Sequence, residues 1–106
     1  MIIQDAVIAI TGGAQGLGAA MALSLAKKGA NIALIDMNED RLNETQKSCE
    51  ALGVKAKGYV CNVAKEADVE SVFSDIINDF GQLDGLVNNA GILRDGLLAK
   101  VKEGEL

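Results

Sequence analysis

Two rhythms of apolar residues alternate along this chain. Short, almost unbroken apolar runs occur at Ala6-Val7-Ile8-Ala9-Ile10, Asn31-Ile32-Ala33-Leu34-Ile35-Asp36 and Leu83-Asp84-Gly85-Leu86-Val87. Each is too short for a helix and is bounded by glycine or polar residues, which predicts strands. Val54 to Val60 predicts a further strand, in which Lys55 and Lys57 alternate outward as suits a sheet edge. Between these runs the apolar positions return every three or four residues. Leu17, Met21 and Leu25 recur in a helix from Leu17 to Lys28, beside Gly18, Ala22 and Ala26, a small-residue face able to approach a sheet closely, and Gly29 caps it. A second helix starts at the cap Asn38, carries Leu42, Cys49 and Leu52 on one side and closes at Gly53. The third shows the helical repeat most fully, through Val69, Val72, Phe73, Ile76, Ile77 and Phe80, and Gly81 ends it. Ile92 to Leu106 predicts a loop.

Strands alternating with helices predict an α/β fold, the first half of a Rossmann-like doubly wound parallel sheet with strand order 3-2-1-4. Its first two helices would lie on one face and the third on the other. One helix cannot cover four strands, and parallel strands need both faces buried. A missing second half or another copy of the chain is therefore expected against that face and the open fourth strand. At 106 residues the chain is one domain at most, residues 1–106, with 92–106 expected to lead into the missing half.

Candidate chemistry concentrates at Thr11-Gly12-Gly13-Ala14-Gln15-Gly16-Leu17-Gly18, where a strand turns into a helix. Glycine lets the backbone turn sharply and approach a ligand with no Cβ between, and the first N–H groups of a helix have no intrahelical partner. A pyrophosphate can satisfy them and gains from the helix dipole. A tight turn between strand and helix needs glycine with or without a ligand, so the turn alone decides little.

Charge and composition narrow the partners. The net charge is −5, with no basic cluster, which speaks against nucleic acid and anionic membrane surfaces and for small molecules. No apolar run approaches bilayer length, and Met1 to Asp5 lacks the start of a signal peptide, so the cytoplasm is the expected compartment. Cys49 and Cys61 form no CxxC pair and are expected to be reduced and buried. Histidine is absent, which removes the commonest general base and metal ligand; no metal site is expected.

The T-G-x-x-x-G-x-G pattern of Thr11 to Gly18, Asp36 ending the second strand, Asn62-Val63 after the third and Asn88-Asn89-Ala90-Gly91 after the fourth together resemble the short-chain dehydrogenase/reductase family. The resemblance covers the whole chain but only the first half of the family's domain. Within the family it is similar to the bacterial 3-oxoacyl-(acyl-carrier-protein) reductase group. It implies that Gly12, Gly16 and Gly18 line the pyrophosphate and adenosine ribose, with the Leu17 backbone toward the nicotinamide. It further implies that Asp36 holds the adenosine ribose hydroxyls, that Asn62 and Val63 flank the adenine, and that Asn89, Ala90 and Gly91 run beside the ribose. Thr11 and Asn88 would lock the first and fourth strands together.

Asp36 has an argument of its own. It lies 24 residues after Gly12 and 18 after Gly18, near the roughly 20-residue offset of an acidic ribose ligand. A carboxylate accepts from ribose hydroxyls and repels a 2′-phosphate; at 4 Å and an effective dielectric near 20 the repulsion is about 4 kcal/mol, less when exposed, so NAD is favoured over NADP by about ten- to a thousandfold. Gln15 and Met37 add no compensating positive charge. The bland alternative makes Asp36 only a turn residue before Asn38. An NAD preference departs from the acyl-carrier-protein reductases, which generally use NADP.

The resemblance also implies a catalytic tyrosine with a lysine four residues on, helped by a serine. The single tyrosine, Tyr59, is followed four residues later by Val63 and reads as packing, so no catalytic residue is assigned. Three readings follow. The chain is the cofactor-binding half of an NAD(P)-dependent oxidoreductase, moving hydride between nicotinamide and a hydroxyl or carbonyl substrate. Alternatively it is a non-catalytic NAD-binding module, or an assembly piece completing its sheet with another chain, as in a homo-oligomer.

Overall fold

The computed structural model describes residues 2–91; the expected loop from Ile92 to Leu106 lies outside the described residues. The apolar runs form β1 (Val7–Thr11), β2 (Asn31–Asp36), β3 (Ala56–Val60) and β4 (Gly85–Asn88), and the periodic stretches form α1 (Gly16–Lys27), α2 (Glu39–Glu50) and α3 (Glu66–Phe80). The strands pair in parallel in the order β3-β2-β1-β4, the order expected from the sequence. Side-chain alternation sorts the core into two layers. Ile8, Ile10, Ile32 and Leu34 pack with Ala22 and Ala26 of α1 and Leu42 and Cys49 of α2. Val7, Ala9, Ala33 and Ile35 face the opposite way, onto Val69, Val72, Phe73 and Ile76 of α3.

Three local expectations change. Along α1 the small stripe Gly18, Ala22 and Ala26 is buried, whereas Leu17, at the helix's first turn, is 70% exposed. Small residues let the helix backbone lie close to the sheet, and the larger side chains are displaced sideways. In α2, Leu52 falls beyond the helix and is 41% exposed; Thr45 takes its place on the buried stripe between Leu42 and Cys49. In α3, Ile77 and Phe80 are only half-buried. The end of α3 follows the sequence: Gly81 takes φ +82° and its N–H donates to the Ile77 carbonyl at 2.8 Å.

Both edges of the sheet carry polar fastenings. On the β3 side, Lys57 pairs with Asp79 of α3 at 2.8 Å and Tyr59 donates its hydroxyl to the same carboxylate at 2.7 Å. Lys55 donates to the Asp79 carbonyl, its ammonium 4.7 Å from the centre of the Phe80 ring. The lysines thus fold back onto the end of α3. The Lys57 bond, followed by that from Tyr59, holds the Asp79 carboxyl below its ordinary range. On the other edge, Asp84 accepts from Val7 N–H through its side chain and donates its own N–H to the Val7 carbonyl, both at 2.8 Å, which starts the β1–β4 ladder. Leu86 and Val87 remain half-buried, one on each face.

Phe73 is fully buried at the centre of the α3 layer. Phe73→Ala is expected to lower the unfolding free energy by about 3–5 kcal/mol in urea titration. Burial, then the bond to Asp79, raises the Tyr59 phenol above its ordinary value of 10.0. Because the folded state keeps that proton longer, the contribution is whole below about pH 10 and is lost as the pH rises beyond it. Melting curves between about pH 9 and 11 should therefore fall less steeply for Tyr59→Phe than for the unmodified chain.

Candidate functional site

The turn after β1 is shaped by contacts only glycine permits. Gly12 has φ +65° and Gly16 φ +58°, backbone states that cost other L-residues energy. Gly18, in the first turn of α1, lies so close to Gly12 that a Cβ there would stand 1.9 Å from the Gly12 carbonyl oxygen and 2.9 Å from the Asn89 amide nitrogen. A Cβ at Gly16 would meet nothing within 4 Å, so this side of the turn faces open space. The start of α1 opens the same way. Its N-cap Gln15 makes no side-chain cap and its first turn holds no acidic residue, whereas Glu39 and Asp40 begin α2 and Glu66 and Asp68 begin α3. Uncapped N–H groups at the positive end of a helix, beside a glycine-rich turn, form a cradle that fits an anion.

Asp36, at the end of β2, is tied to that turn. Its Oδ2 accepts from Ala14 N–H at 3.1 Å, and its Oδ1 accepts from Met37 N–H at 2.7 Å and Asn38 N–H at 3.2 Å. Asp36 therefore shapes the turn before Asn38, as the bland reading held, while standing beside the glycines, as the functional reading requires. Asn38 caps α2 by accepting from Arg41 N–H at 3.0 Å. Thr45, buried on α2, donates to the Ala14 carbonyl at 2.9 Å. Sequence reading passed over Thr45 and Ala14. The signal for Thr45 was its place in the 42, 45, 49 stripe of α2.

On the other flank, the Thr11 hydroxyl lies 3.1 Å from Asn88 Oδ1 and accepts from Ala90 N–H at 3.1 Å, while Gly91 N–H donates to Asn88 Oδ1 at 3.0 Å. Asn89 Nδ2 donates to the Gly12 carbonyl at 3.3 Å. These bonds hold Asn89, Ala90 and Gly91 against the glycine turn. After β3, Cys61 N–H donates to the Asp36 carbonyl at 2.9 Å, which brings Asn62 and Val63 to the same end of the sheet. Asn62 Oδ1 accepts from Ala64 N–H at 3.0 Å, and Val63 packs partly into the α3 layer. Gln15, Leu17 and Met37 are exposed around the turn, Met37 at 65%. Nine of the twelve candidate residues thus lie at the C-terminal ends of the strands or in the turns that follow them, and the other three, Gly16, Leu17 and Gly18, form the first turn of α1. Asp36 is the charged one among all twelve.

Tyr59 stands apart, its hydroxyl held by Asp79 of α3. Cys49 and Cys61 are free and buried, and burial foremost pushes both thiols above their ordinary range, so both stay protonated at neutral pH.

The two glycines separate by mechanism. Gly18→Ala must push the Gly12 carbonyl aside, whereas Gly16→Ala meets only an unfavourable φ of about 1–2 kcal/mol. Thermal unfolding should show the larger loss for Gly18→Ala.

The sequence profile described as short chain dehydrogenase matches residues 6–106. The chain is 38% identical over 103 residues to the 3-oxoacyl-(acyl-carrier-protein) reductase of Thermotoga maritima, covering 97% of this chain and 42% of the reductase. It is 37% identical over 103 residues to the 2,3-dihydro-2,3-dihydroxybenzoate dehydrogenase of Bacillus subtilis, covering 97% and 40%. Among solved structures, an NAD+-bound xylitol dehydrogenase superposes with a TM-score of 0.82 at 34% identity, over 95% of this chain and 42% of that one. The chain thus spans well under half the length of these relatives. With the parallel sheet and the glycine turn in place, the match across nearly all of its sequence means that this chain belongs to the short chain dehydrogenase family.

Proposed function

We propose that this chain supplies the NAD-binding half of an oxidoreductase that moves a hydride between nicotinamide and the hydroxyl or carbonyl carbon of a small molecule. The observation that carries the reading is Asp36, a carboxylate pinned beside an uncapped helix start and a glycine-rich turn. The α1 N-terminus would take the pyrophosphate, with Gly12, Gly16 and Gly18 allowing close approach. Three backbone donors occupy Asp36, and a carboxylate has about four accepting positions, so capacity remains for a ribose hydroxyl. Asn62 and Val63 would flank the adenine, and Asn89 to Gly91 the ribose. The nicotinamide, when bound, supplies the hydride donor or acceptor.

Proton transfer is assigned to the remainder of the polypeptide, since Tyr59 is committed to Asp79. The half-buried β4 supports continuation of the sheet by that remainder or by a second copy of the chain. A second reading, an NAD-binding module without catalysis, draws on the same placement of Tyr59, the one tyrosine in the chain. The structurally similar xylitol dehydrogenase binds NAD+, which supports NAD here.

Titration of the 106-residue chain with NAD and NADP tests the site. NAD should bind more tightly by about ten- to a thousandfold, and Asp36→Asn should close most of that gap by relieving the repulsion of the 2′-phosphate. Equal affinities would remove the preference for NAD, and absence of binding by either would remove the site. Joined to its remaining half, the protein should oxidise alcohols with NAD; a joined protein that binds NAD without turnover favours the module.

A further inference from the structure

We infer that Thr45, on the buried side of α2, is a positioning residue for nucleotide selectivity: it holds Ala14, and through Ala14 the Asp36 carboxylate, in the orientation that separates NAD from NADP. The inference rests on the dinucleotide reading above. Apart from the cysteines and Tyr59, Thr11 and Thr45 are the buried residues with polar side chains among the described residues. A buried hydroxyl is unfavourable unless bonded, and an apolar residue of the same shape would fill the stripe between Leu42 and Cys49 equally well. Both hydroxyls bond to the loops of the candidate site, Thr11 on the β4 side and Thr45 on the Ala14 carbonyl.

The bond from Thr45 completes a ring. Thr45 donates to the Ala14 carbonyl, Ala14 N–H donates to Asp36 Oδ2, Asn38 N–H donates to Asp36 Oδ1, and Arg41 N–H donates to Asn38 Oδ1. Arg41 and Thr45 are one turn apart on α2, so the helix closes the circuit. Both Asp36 oxygens are fixed by it, one through the cap of α2 and the other through the turn. The turn is rich in permissive glycines, at 12, 13 and 16, and is tied to β2 by Gly13 N–H on the Ile35 carbonyl at 3.2 Å. Thr45 is its tie to α2. Without that tie Ala14 can shift, and Oδ2 loses the donor that aims it.

The test compares Thr45→Val, which keeps the shape and removes the donor, with Thr45→Ser, which keeps the donor. Each full chain is titrated with NAD and with NADP, and exchange of the Ala14 amide hydrogen is followed without ligand. A purely structural loss weakens both dinucleotides by the same factor, because a smaller folded fraction scales both affinities equally; misaiming Asp36 changes their ratio. The NAD-to-NADP preference should fall about fivefold in Thr45→Val, the worth of one neutral hydrogen bond, with faster Ala14 exchange, and should be kept in Thr45→Ser. Should Thr45→Val not fold, Thr45→Ala, which also lacks the donor, gives the same comparison. An unchanged ratio in the donor-less variant of a chain that binds NAD overturns the inference and leaves the site reading intact, as does equal loss in Thr45→Ser. Binding of neither dinucleotide by the unmodified chain overturns both.

Discussion

The contact on which the candidate site depends is backbone against backbone: Gly18 lying on the Gly12 carbonyl. A Cβ at Gly18 would stand 1.9 Å from that oxygen, far inside van der Waals contact. Because the space is empty, the start of α1 sits against the turn that follows β1, and the Asn89 amide reaches the Gly12 carbonyl beside Gly18. Three chain segments, one from the turn, one from the helix and one from the β4 end, thereby converge within a few ångströms. Were they separated by one side chain, the helix N-terminus and the residues beside it could not serve one ligand.

Convergence of this kind uses up polar capacity, and the structure divides it between holding the site and leaving it open. The carboxylate of Asp36 accepts three backbone N–H groups, which fixes its direction before any ligand arrives. Preorganisation lowers the ordering cost of binding. The two readings of Asp36 that the sequence leaves open, turn former and ligand, are therefore compatible: fixing the turn is what aims the remaining lone pair. Thr11 and Asn88 play the purely internal part on the opposite flank, where their bonds to Ala90 and Gly91 are made within the protein. The uncapped start of α1 is the complementary case, in which donors stay unpaired by the chain's own side chains.

Much of this was legible because it is local or periodic. Strand order, the cap at Asn38 and the stop at Gly81 follow from residue type and spacing, and the last two rest on bonds within a single helix and its flanking residue. Less legible were matters set by tertiary packing. Leu17 looks like a core residue by spacing, yet the sheet takes the small stripe beside it, since backbone proximity outweighs the burial of one leucine there. Lys55, just before β3, and Lys57 within it look solvated but fold onto Asp79 and Phe80, partners 22 to 25 positions away. Thr45 was passed over because a threonine among apolar positions reads as a minor fault in a stripe, and only its bond to Ala14, 31 residues away, shows what the hydroxyl does.

Burial also differs between the parts of the sheet in a way that bears on how the chain divides its work. Every residue of β1 is buried, as are the four central residues of β2, and these strands carry the glycine turn and Asp36 at their ends. β4 is half-exposed along its length and ends in an exposed asparagine. Local opening is drawn from regions with few buried contacts, so motion at the β4 edge is cheaper than motion at the ends of β1 and β2. A candidate site whose glycine turn and Asp36 stand at the ends of the two most buried strands keeps its shape even where the neighbouring β4 edge moves. The Asn89 bond to the Gly12 carbonyl joins the segment after β4 directly to the glycine turn, beside the ladder and the Thr11 bonds that join it to β1, so covering β4 would be felt at the turn.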